Sequence, residues 1–150
     1  MNIDLQTIDT PAASEAGHDV ELLYNGQATG WVVTVRGEYA PSVKRWQLSV
    51  GNKFRLKEWQ EKRKGKGENP APMTEEDLEI GLRGAAVRIA GWHGIQFAGK
   101  PFAFSEGNAY ELVRRHPPFA DQILEASGDV SNFLLTRSNS SASLPATSSD

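Results

Sequence analysis

Alternating apolar and polar positions near the start of the chain predict a β-hairpin over residues 19–36. β-Branched residues are frequent at 32–35 and favour the second strand. The connection at 25–30 contains an Asn-Gly pair, which supplies the positive φ that hairpin loops need, and it is longer than a two-residue turn. The positions predicted to share one face are Val20, Leu22, Tyr24, Trp31, Val33 and Val35.

The next segment predicts a long helix over residues 42–64 and a linker at 65–73. Pro41 or Ser42 can begin this helix, because both residue types are favoured at helix N-termini. Gly51 weakens its middle by about 1 kcal/mol relative to alanine. The linker sequence, GKGENPAPM, contains two glycines and two prolines. The predicted inward face is Val43, Trp46, Val50, Phe54 and Trp59.

A third apolar segment predicts a helix that begins after Thr74 and ends at Gly91, with Trp92 directly following. Thr74 is a favourable N-cap, and the acidic residues after it lie at the positive end of the helix dipole. The sequence therefore predicts a helix with a buried stripe on one side. That stripe is Leu78, Leu82, Ala85, Ala86 and Ile89.

The remainder predicts a small strand pair over residues 95–104 and two further helices. The pair turns around Ala98-Gly99-Lys100-Pro101. Ser105 caps the first helix, and Pro117 and Pro118 begin the second, which is predicted to run to about Leu135. The residues expected to face inward or to anchor the end are Phe119, Ile123, Leu124, Ala126, Phe133 and Leu134.

These elements predict an α+β fold that is predominantly helical, with an N-terminal β-hairpin and a second short strand pair. Residues 1–18 hold three acidic and no basic residues, and they predict a flexible arm or, at most, an edge strand. Residues 19–135 then form a single domain that contains the linker at 65–73. The Ser/Thr-rich residues 136–150 predict a disordered tail.

Composition narrows the class of protein. The 150 residues include no cysteine, which excludes a disulfide framework and a cysteine metal cluster. The net charge of −3 indicates no particular partner. The first residues lack a basic flank and an apolar run, and no stretch approaches the roughly 20 apolar residues of a membrane span. We therefore expect a cytoplasmic protein without a membrane anchor.

The polar residues predict no catalytic or metal-binding motif. His18, His93 and His116 lie on three different segments, so ordinary surface or loop histidines are the favoured interpretation. The acidic residues at 75–79 are better explained by helix capping than by metal binding or acid–base chemistry. We accordingly expect no enzyme activity, no cofactor and no metal.

The largest charge asymmetry lies at residues 36–67, where ten basic residues face three acidic ones and the net charge is +7. A solvated helix face ranks first, an acidic protein partner second, and nucleic acid stacked on Trp46 or Trp59 third. The acidic N-terminal residues 1–21 provide a further way to neutralise this charge within the chain. Most aromatic residues are expected in the core, although Phe102 and Phe104 suit a groove for a partner helix. The candidate partner-binding residues are Lys53, Arg55, Lys57, Arg63, Trp92, Phe102, Phe104 and Phe133.

Three stretches, in their order and spacing, carry a resemblance to a known family. They are GWVVTVRGE at 30–38, AAVRIAGW at 85–92, and PFAFSEGNA at 101–109 followed by Leu112, 117–119 and 132–134. This order resembles the tail assembly chaperones of long-tailed (siphovirus-like) bacteriophages and prophages. The similarity extends from about Leu22 to Leu134.

The resemblance implies a mainly helical, non-enzymatic chaperone in the host bacterial cytoplasm. Such a protein holds the tape measure protein in apolar grooves while tail tube subunits polymerise, and it is absent from the finished virion. Self-association is a further candidate interaction. Two other functions stay open: a structural virion component, such as a minor tail or connector protein, and a small nucleic-acid-binding regulator that uses the basic helix 42–66.

Overall fold

The structure, a computed structural model, describes residues 2–51 and 74–134. Helices pack on a small antiparallel sheet, which confirms the predicted α+β fold that is predominantly helical. The elements are a 3-10 helix (Leu5–Thr7), α1 (Thr10–Ala16), β1 (His18–Tyr24), β2 (Gln27–Val35), α2 (41–51), α3 (Glu75–Val87), β3 (Ile89–His93), β4 (Gln96–Phe97), β5 (Lys100–Pro101), α4 (Glu106–Arg115), α5 (Pro117–Gly128) and a second 3-10 helix (Val130–Phe133).

The predicted β-hairpin is confirmed as β1 and β2, with a shorter connection than expected. Asn25 and Gly26 have φ of 55° and 77°, so these two residues alone make the turn, and pairing resumes between Tyr24 and Gln27. Two consecutive positive φ values give the twist that suits a two-residue hairpin turn. On the predicted inward face, Leu22, Val33 and Val35 are fully buried, whereas Tyr24 is exposed.

The segment 89–93, predicted to end a helix at Gly91, is instead strand β3. Helix α3 stops at Val87, and β3 pairs antiparallel with β2 to complete the three-stranded order β1-β2-β3. Arg36 fixes this change of direction, since its backbone N–H and its guanidinium donate to carbonyls at residues 87–89. Ile89 keeps its predicted burial, but as a strand residue.

Residues 10–16, for which the sequence predicted a loose arm or an edge strand, form helix α1. Asp9 caps it by accepting from the Ala12 N–H, and Pro11 occupies its first turn. Ser14 is fully buried, and Glu15 accepts from the N–H and hydroxyl of Ser42 at the start of α2. These contacts attach α1 to the domain and supply the N-terminal cap of the next helix.

Helix α2 agrees with the predicted helix over the residues that the structure describes. Val43 is buried, and Trp46 and Val50 are half-buried, as the inward face required. The rest of the predicted helix (52–64, with Phe54 and Trp59), the linker at 65–73 and the tail at 136–150 lie outside the described residues.

Helix α3 begins at the predicted cap. The Thr74 hydroxyl accepts from the Asp77 N–H, and the Asp77 carboxylate accepts from the Thr74 N–H, which completes a capping box. Of the predicted stripe, Ala85 is buried, whereas Leu78 is 56% exposed and lies outside the core.

The C-terminal elements follow the prediction until residue 128. Strands β4 and β5 form the short pair, and Ser105 caps α4 by accepting from the Asn108 N–H. Helix α5 ends at Gly128 instead of near Leu135, and a 3-10 helix continues the chain. Its Phe133 is buried, while Leu134 is 42% exposed, so Phe133 alone is the anchor.

One continuous hydrophobic core joins the sheet to α3, α4 and α5. No helix in the two described ranges has the length and hydrophobicity needed to cross a bilayer. The buried core residues are Leu22, Val33, Val35, Ala85, Ile89, Ile95, Ala109, Leu112, Val113, Phe119, Ala120 and Ile123.

The side chains of Gln122 and Arg88 make further contacts between separate parts of the fold. The Gln122 amide accepts from the Leu23 N–H (2.8 Å) and donates to the Leu23 carbonyl (2.9 Å), at the outer side of β1. Arg88, which is buried, donates to the Gly84 carbonyl, the Ser127 hydroxyl and the Glu38 carboxylate. The Gln122 contact satisfies the backbone N–H and carbonyl of one residue at the edge of the sheet. The Arg88 contacts connect three segments of the chain.

Candidate functional site

An open cavity of about 280 Å³ lies between the β4–β5 hairpin, the second half of α4 and the start of α5. We call it the aromatic groove. Its apolar lining consists of Trp31, Ile95, Phe97, Ala98, Phe102, Leu112 and Phe119. Its polar lining consists of Gln96, Glu111 and Arg115.

The groove deepens from an exposed wall to the core. Phe97 is 44% exposed, whereas Ile95, Leu112 and Phe119 are buried. Trp31 is half-buried, and its ring centroid lies 6.0 Å from that of Phe119. An apolar group entering the groove would therefore meet side chains that the core already holds in place.

A bulge in β2 sets the position of Trp31. Glu21 pairs with Val32 and Leu23 pairs with Ala28, so residues 29–31 of β2 lie opposite Leu22 alone. Within this bulge, Gly30 adopts a φ of 77°. The Thr29 hydroxyl donates to the Leu22 carbonyl (2.7 Å) and accepts from the Trp31 N–H (3.0 Å). These bonds satisfy backbone groups that a bulge removes from the ladder.

The β4–β5 hairpin forms the exposed wall. Ala98 and Gly99 make its two-residue turn, with φ of 55° and 79°. The N–H of Phe102 donates to the Ile95 carbonyl (2.9 Å), which returns the chain toward the core. The rings of Phe97 and Phe102 then lie 5.3 Å apart between centroids.

Three of the predicted partner-binding residues come together behind this wall. Trp92 donates from Nε1 to the Phe102 carbonyl (2.7 Å) and stacks on the Phe102 ring at 5.8 Å. Phe104 meets the Trp92 ring edge-on at 5.2 Å. Only Phe102 lines the groove; Trp92 supports it from behind, and Phe104 lines a different cavity.

Charged residues stand at one side of the groove and in its surroundings. Arg115 lies 4.8 Å from the centre of the Phe97 ring and pairs with Glu111, which also binds Arg114. These bonds, that from Arg114 first, lower the pKa of Glu111 from its ordinary 4.5. Lys100 is paired with Phe97 across the hairpin. The groove lining thus holds one cation, Arg115, and one carboxylate, Glu111, while Arg114 and Lys100 are two further cations next to lining residues.

A second cavity, of about 290 Å³, uses a different face of α4 and is more polar. There the Tyr110 hydroxyl donates to Glu79 (2.6 Å), and the Arg83 guanidinium lies 4.0 Å from the Tyr110 ring centre. The Glu79 bond raises the pKa of Tyr110, and the same bond lowers the pKa of Glu79. Because the lining of the aromatic groove is more apolar, that groove is the better candidate for binding an apolar group of a partner.

The remaining predicted site residues lie elsewhere. Lys53, Arg55, Lys57 and Arg63 fall outside the described residues. Phe133 is 2% exposed and is therefore a core anchor and not part of a partner surface.

The histidines and acidic residues have local roles. His116 packs edge-on against Phe119 at 4.6 Å, and His18 against Phe133 at 6.2 Å, while His93 is exposed. Within 2–51 and 74–134, no three His, Asp or Glu side chains form a group that could hold a metal ion. In the acidic cluster, Asp77 belongs to the capping box of α3, as predicted.

Of the ten residues that line the groove, only Phe102 was predicted as a site candidate; the missed ones include Trp31, Phe97, Phe119 and Arg115. The three aromatic residues carried the same apolar signal as the core, and Arg115 gave no signal of its own. The available clue was the Gly-containing turn directly after Phe97, which places an aromatic residue at a hairpin tip.

No family model matches the sequence, and the searches of curated proteins and of solved structures returned no match.

Proposed function

We propose that this chain is a non-enzymatic tail assembly chaperone of a long-tailed bacteriophage or prophage, acting in the host bacterial cytoplasm. Its client is the tape measure protein, which it holds in a soluble form while tail tube protein polymerises around that client. The aromatic groove is the proposed contact site for apolar side chains of the client.

The observation that carries this proposal is the composition of the groove wall. Phe97, Phe102 and Trp31 offer exposed or half-buried rings beside the buried Leu112 and Phe119. Large aromatic side chains that line a surface concavity are typical of protein interfaces, where they contribute most of the binding energy. A groove of about 280 Å³ is suited to one or two apolar side chains.

The expected energy suits a chaperone that releases its client. Burying one Leu or Phe side chain contributes about 1.5–3 kcal/mol, so one groove binds a single anchor weakly. Several copies of the chaperone along a long client would hold it more firmly through multivalency. Tube subunits that polymerise along the client could then displace the copies one at a time.

Co-expression of this chain with the tape measure and tail tube proteins of the same phage tests the proposal. We expect the tape measure protein to stay soluble and to co-purify with the wild-type chain. Phe97→Ser should lower the recovery of soluble tape measure protein at least severalfold. Tyr39→Ser is the matched control, because Tyr39 is also an exposed aromatic residue (52%) but does not line the groove. Equal loss in both variants, or no complex with the wild type, would contradict the proposal.

Mass spectrometry of purified virions separates this function from a structural role. A chaperone is absent from the particle, whereas a minor tail or connector protein is present in a fixed number of copies. Recovery of the chain from virions would replace the chaperone proposal with a structural one.

A further inference from the structure

The first residues of the chain expose three apolar side chains near two aspartates. Ile3 and Ile8 are 56% and 43% exposed, and Leu5, at 81%, is the most exposed large apolar residue in the described part of the chain. The 3-10 helix at Leu5–Thr7 buries none of its residues. Asp4 and Asp9 carry the charge of this segment, which we call the N-terminal segment (residues 3–9).

Local hydrogen bonds give the N-terminal segment a defined shape. The Asp4 carboxylate accepts from the Gln6 N–H (3.0 Å), and the Thr7 hydroxyl donates to the Asp4 carbonyl (2.7 Å). Order in a segment that presents Leu5 to solvent lowers the entropic cost of binding it to a partner.

The aromatic groove complements this segment in both shape and charge. It offers an apolar cavity for an aliphatic side chain, and Arg115, Arg114 and Lys100 give its surroundings an excess of positive charge over Glu111. The N-terminal segment offers the aliphatic side chain and the negative charge.

The N-terminal segment does not fill the groove of its own chain, since none of residues 3–9 lines it. Helix α1 follows the segment and is held near the start of β1 through Ser14 and Glu15. The groove lies near the other end of β1, where Tyr24 packs on His116. Seven strand residues place these regions about 20 Å apart.

We propose that the N-terminal segment of one copy docks in the aromatic groove of a second copy, with Leu5 in the cavity and Asp4 beside Arg115. Reciprocal docking gives a two-fold dimer, because each copy supplies one segment and one groove. This association goes beyond the proposed function and requires no client.

Sedimentation equilibrium of the purified full chain, without any phage protein, tests the proposal. The wild type should show a monomer–dimer equilibrium, and Leu5→Ser should weaken dimerisation at least about tenfold, because an apolar anchor is lost at both contacts. Leu48→Ser is the matched control, since Leu48 is also highly exposed (70%) and does not line the groove. It should dimerise like the wild type.

A charge variant tests the predicted ion pair. Arg115→Glu should weaken dimerisation about fivefold, and adding Asp4→Lys to the same chain should restore most of that loss. Arg83→Glu is the control, because Arg83 matches Arg115 in exposure (56% and 55%) and also binds a glutamate one helical turn earlier. It should leave the dimer unchanged.

A synthetic peptide of residues 2–10 provides a second measurement. It should bind the Leu5→Ser protein at concentrations where that variant is monomeric, and it should bind Phe97→Ser at least about tenfold more weakly. A wild type that stays monomeric up to about 1 mM, or a dimer equally stable in Leu5→Ser and wild type, would overturn the inference. Either result leaves client binding, measured by co-expression, to be decided on its own.

Discussion

Two arginines that pair with glutamates mark two different regions of this molecule. The Arg88 side chain is 6% exposed and donates to three separate segments of the chain, at Gly84, Glu38 and Ser127. The Arg115 side chain is 55% exposed and binds one glutamate of its own helix beside the aromatic groove. An arginine–glutamate pair therefore stabilises the fold at Arg88, whereas the pair at Arg115 is accessible from solvent.

The difference follows from desolvation. A buried guanidinium must have its donors satisfied, so removing it or its partners is costly, whereas an exposed ion pair contributes little to stability. We therefore expect substitutions near Arg88 to lower mainly the free energy of unfolding, and substitutions at the groove to weaken mainly binding. Four variants test that division.

Arg88→Met should have the largest effect. It removes the donors to the Gly84 carbonyl, the Ser127 hydroxyl and the Glu38 carboxylate, and we expect a loss of about 2–3 kcal/mol in the free energy of unfolding. Because Glu38 is partly exposed, the expected loss of unfolding free energy is smaller than for a fully buried pair. Urea unfolding measures it, with Arg114→Met as the exposed control at less than about 0.5 kcal/mol. Equal losses of unfolding free energy in the two variants would show that the buried and the exposed arginine contribute alike.

Gly37→Ala tests the packing around the terminal anchor in the same region. A Cβ at Gly37 would lie 2.7 Å from the Ser14 hydroxyl oxygen and 2.8 Å from the Phe133 ring. We expect a loss of about 1–3 kcal/mol in thermal or urea unfolding, since overpacking displaces buried side chains.

The matched control for Gly37 is Gly107→Ala in α4, where a Cβ would meet no atom within 4 Å. That change should be neutral or stabilising by up to about 1 kcal/mol, because alanine favours the helix. If Gly37→Ala were equally harmless, Phe133 would not be the tight anchor described here.

Phe97→Ala tests the accessible region. Phe97 is 44% exposed, so its loss should lower stability by less than about 1 kcal/mol, yet it should weaken partner binding about tenfold because a groove wall disappears. Unfolding and binding must be measured on the same preparation. A loss of stability as large as that of Arg88→Met would show that Phe97 belongs to the structural region.

Glu15→Gln should give the smallest effect, visible only in acid. The hydrogen bond from the Ser42 N–H is the main cause that lowers the pKa of Glu15 below its ordinary value of 4.5. A lowered folded pKa means stability that is present above pH 4.5 and is lost as the pH falls through the folded value. In unfolding experiments between pH 7 and pH 3, Glu15→Gln should therefore lose less stability than the wild type below about pH 4.5. If stability fell equally with pH in the wild type and in Glu15→Gln, the predicted role of Glu15 would be contradicted.

Local signals predicted much of the fold. Thr74 and Asp77 form their capping box with contacts within four residues, and Asn25-Gly26 makes the hairpin turn, so nearby sequence was sufficient for both. The stretch 89–93 was predicted wrongly because Ala85, Ala86 and Ile89 fit a helical period equally well. Its strand is decided by pairing with β2 and by Arg36, and both contacts are distant in sequence.

The candidate site was predictable only in part. Phe102 and Phe104 were suggested together as a groove lining; Phe102 lines the aromatic groove, whereas Phe104 lines a different cavity and Trp92 packs behind Phe102. The contact of Arg115 with Phe97 joins a helix end to a hairpin tip, and no local sequence pattern predicts it. Phe133 was predicted both as an anchor and as a partner-binding residue; its burial confirms the anchor and contradicts the partner contact.

The Gln122 amide at the outer side of β1 has a consequence for strand addition at that edge. An open strand edge is a template on which further strands add, and that route leads to aggregates. Here a side-chain amide already occupies the place of a neighbouring strand at Leu23. A further strand could add to β1 at this point only by displacing that amide, so the Gln122 side chain protects this edge of the sheet at Leu23.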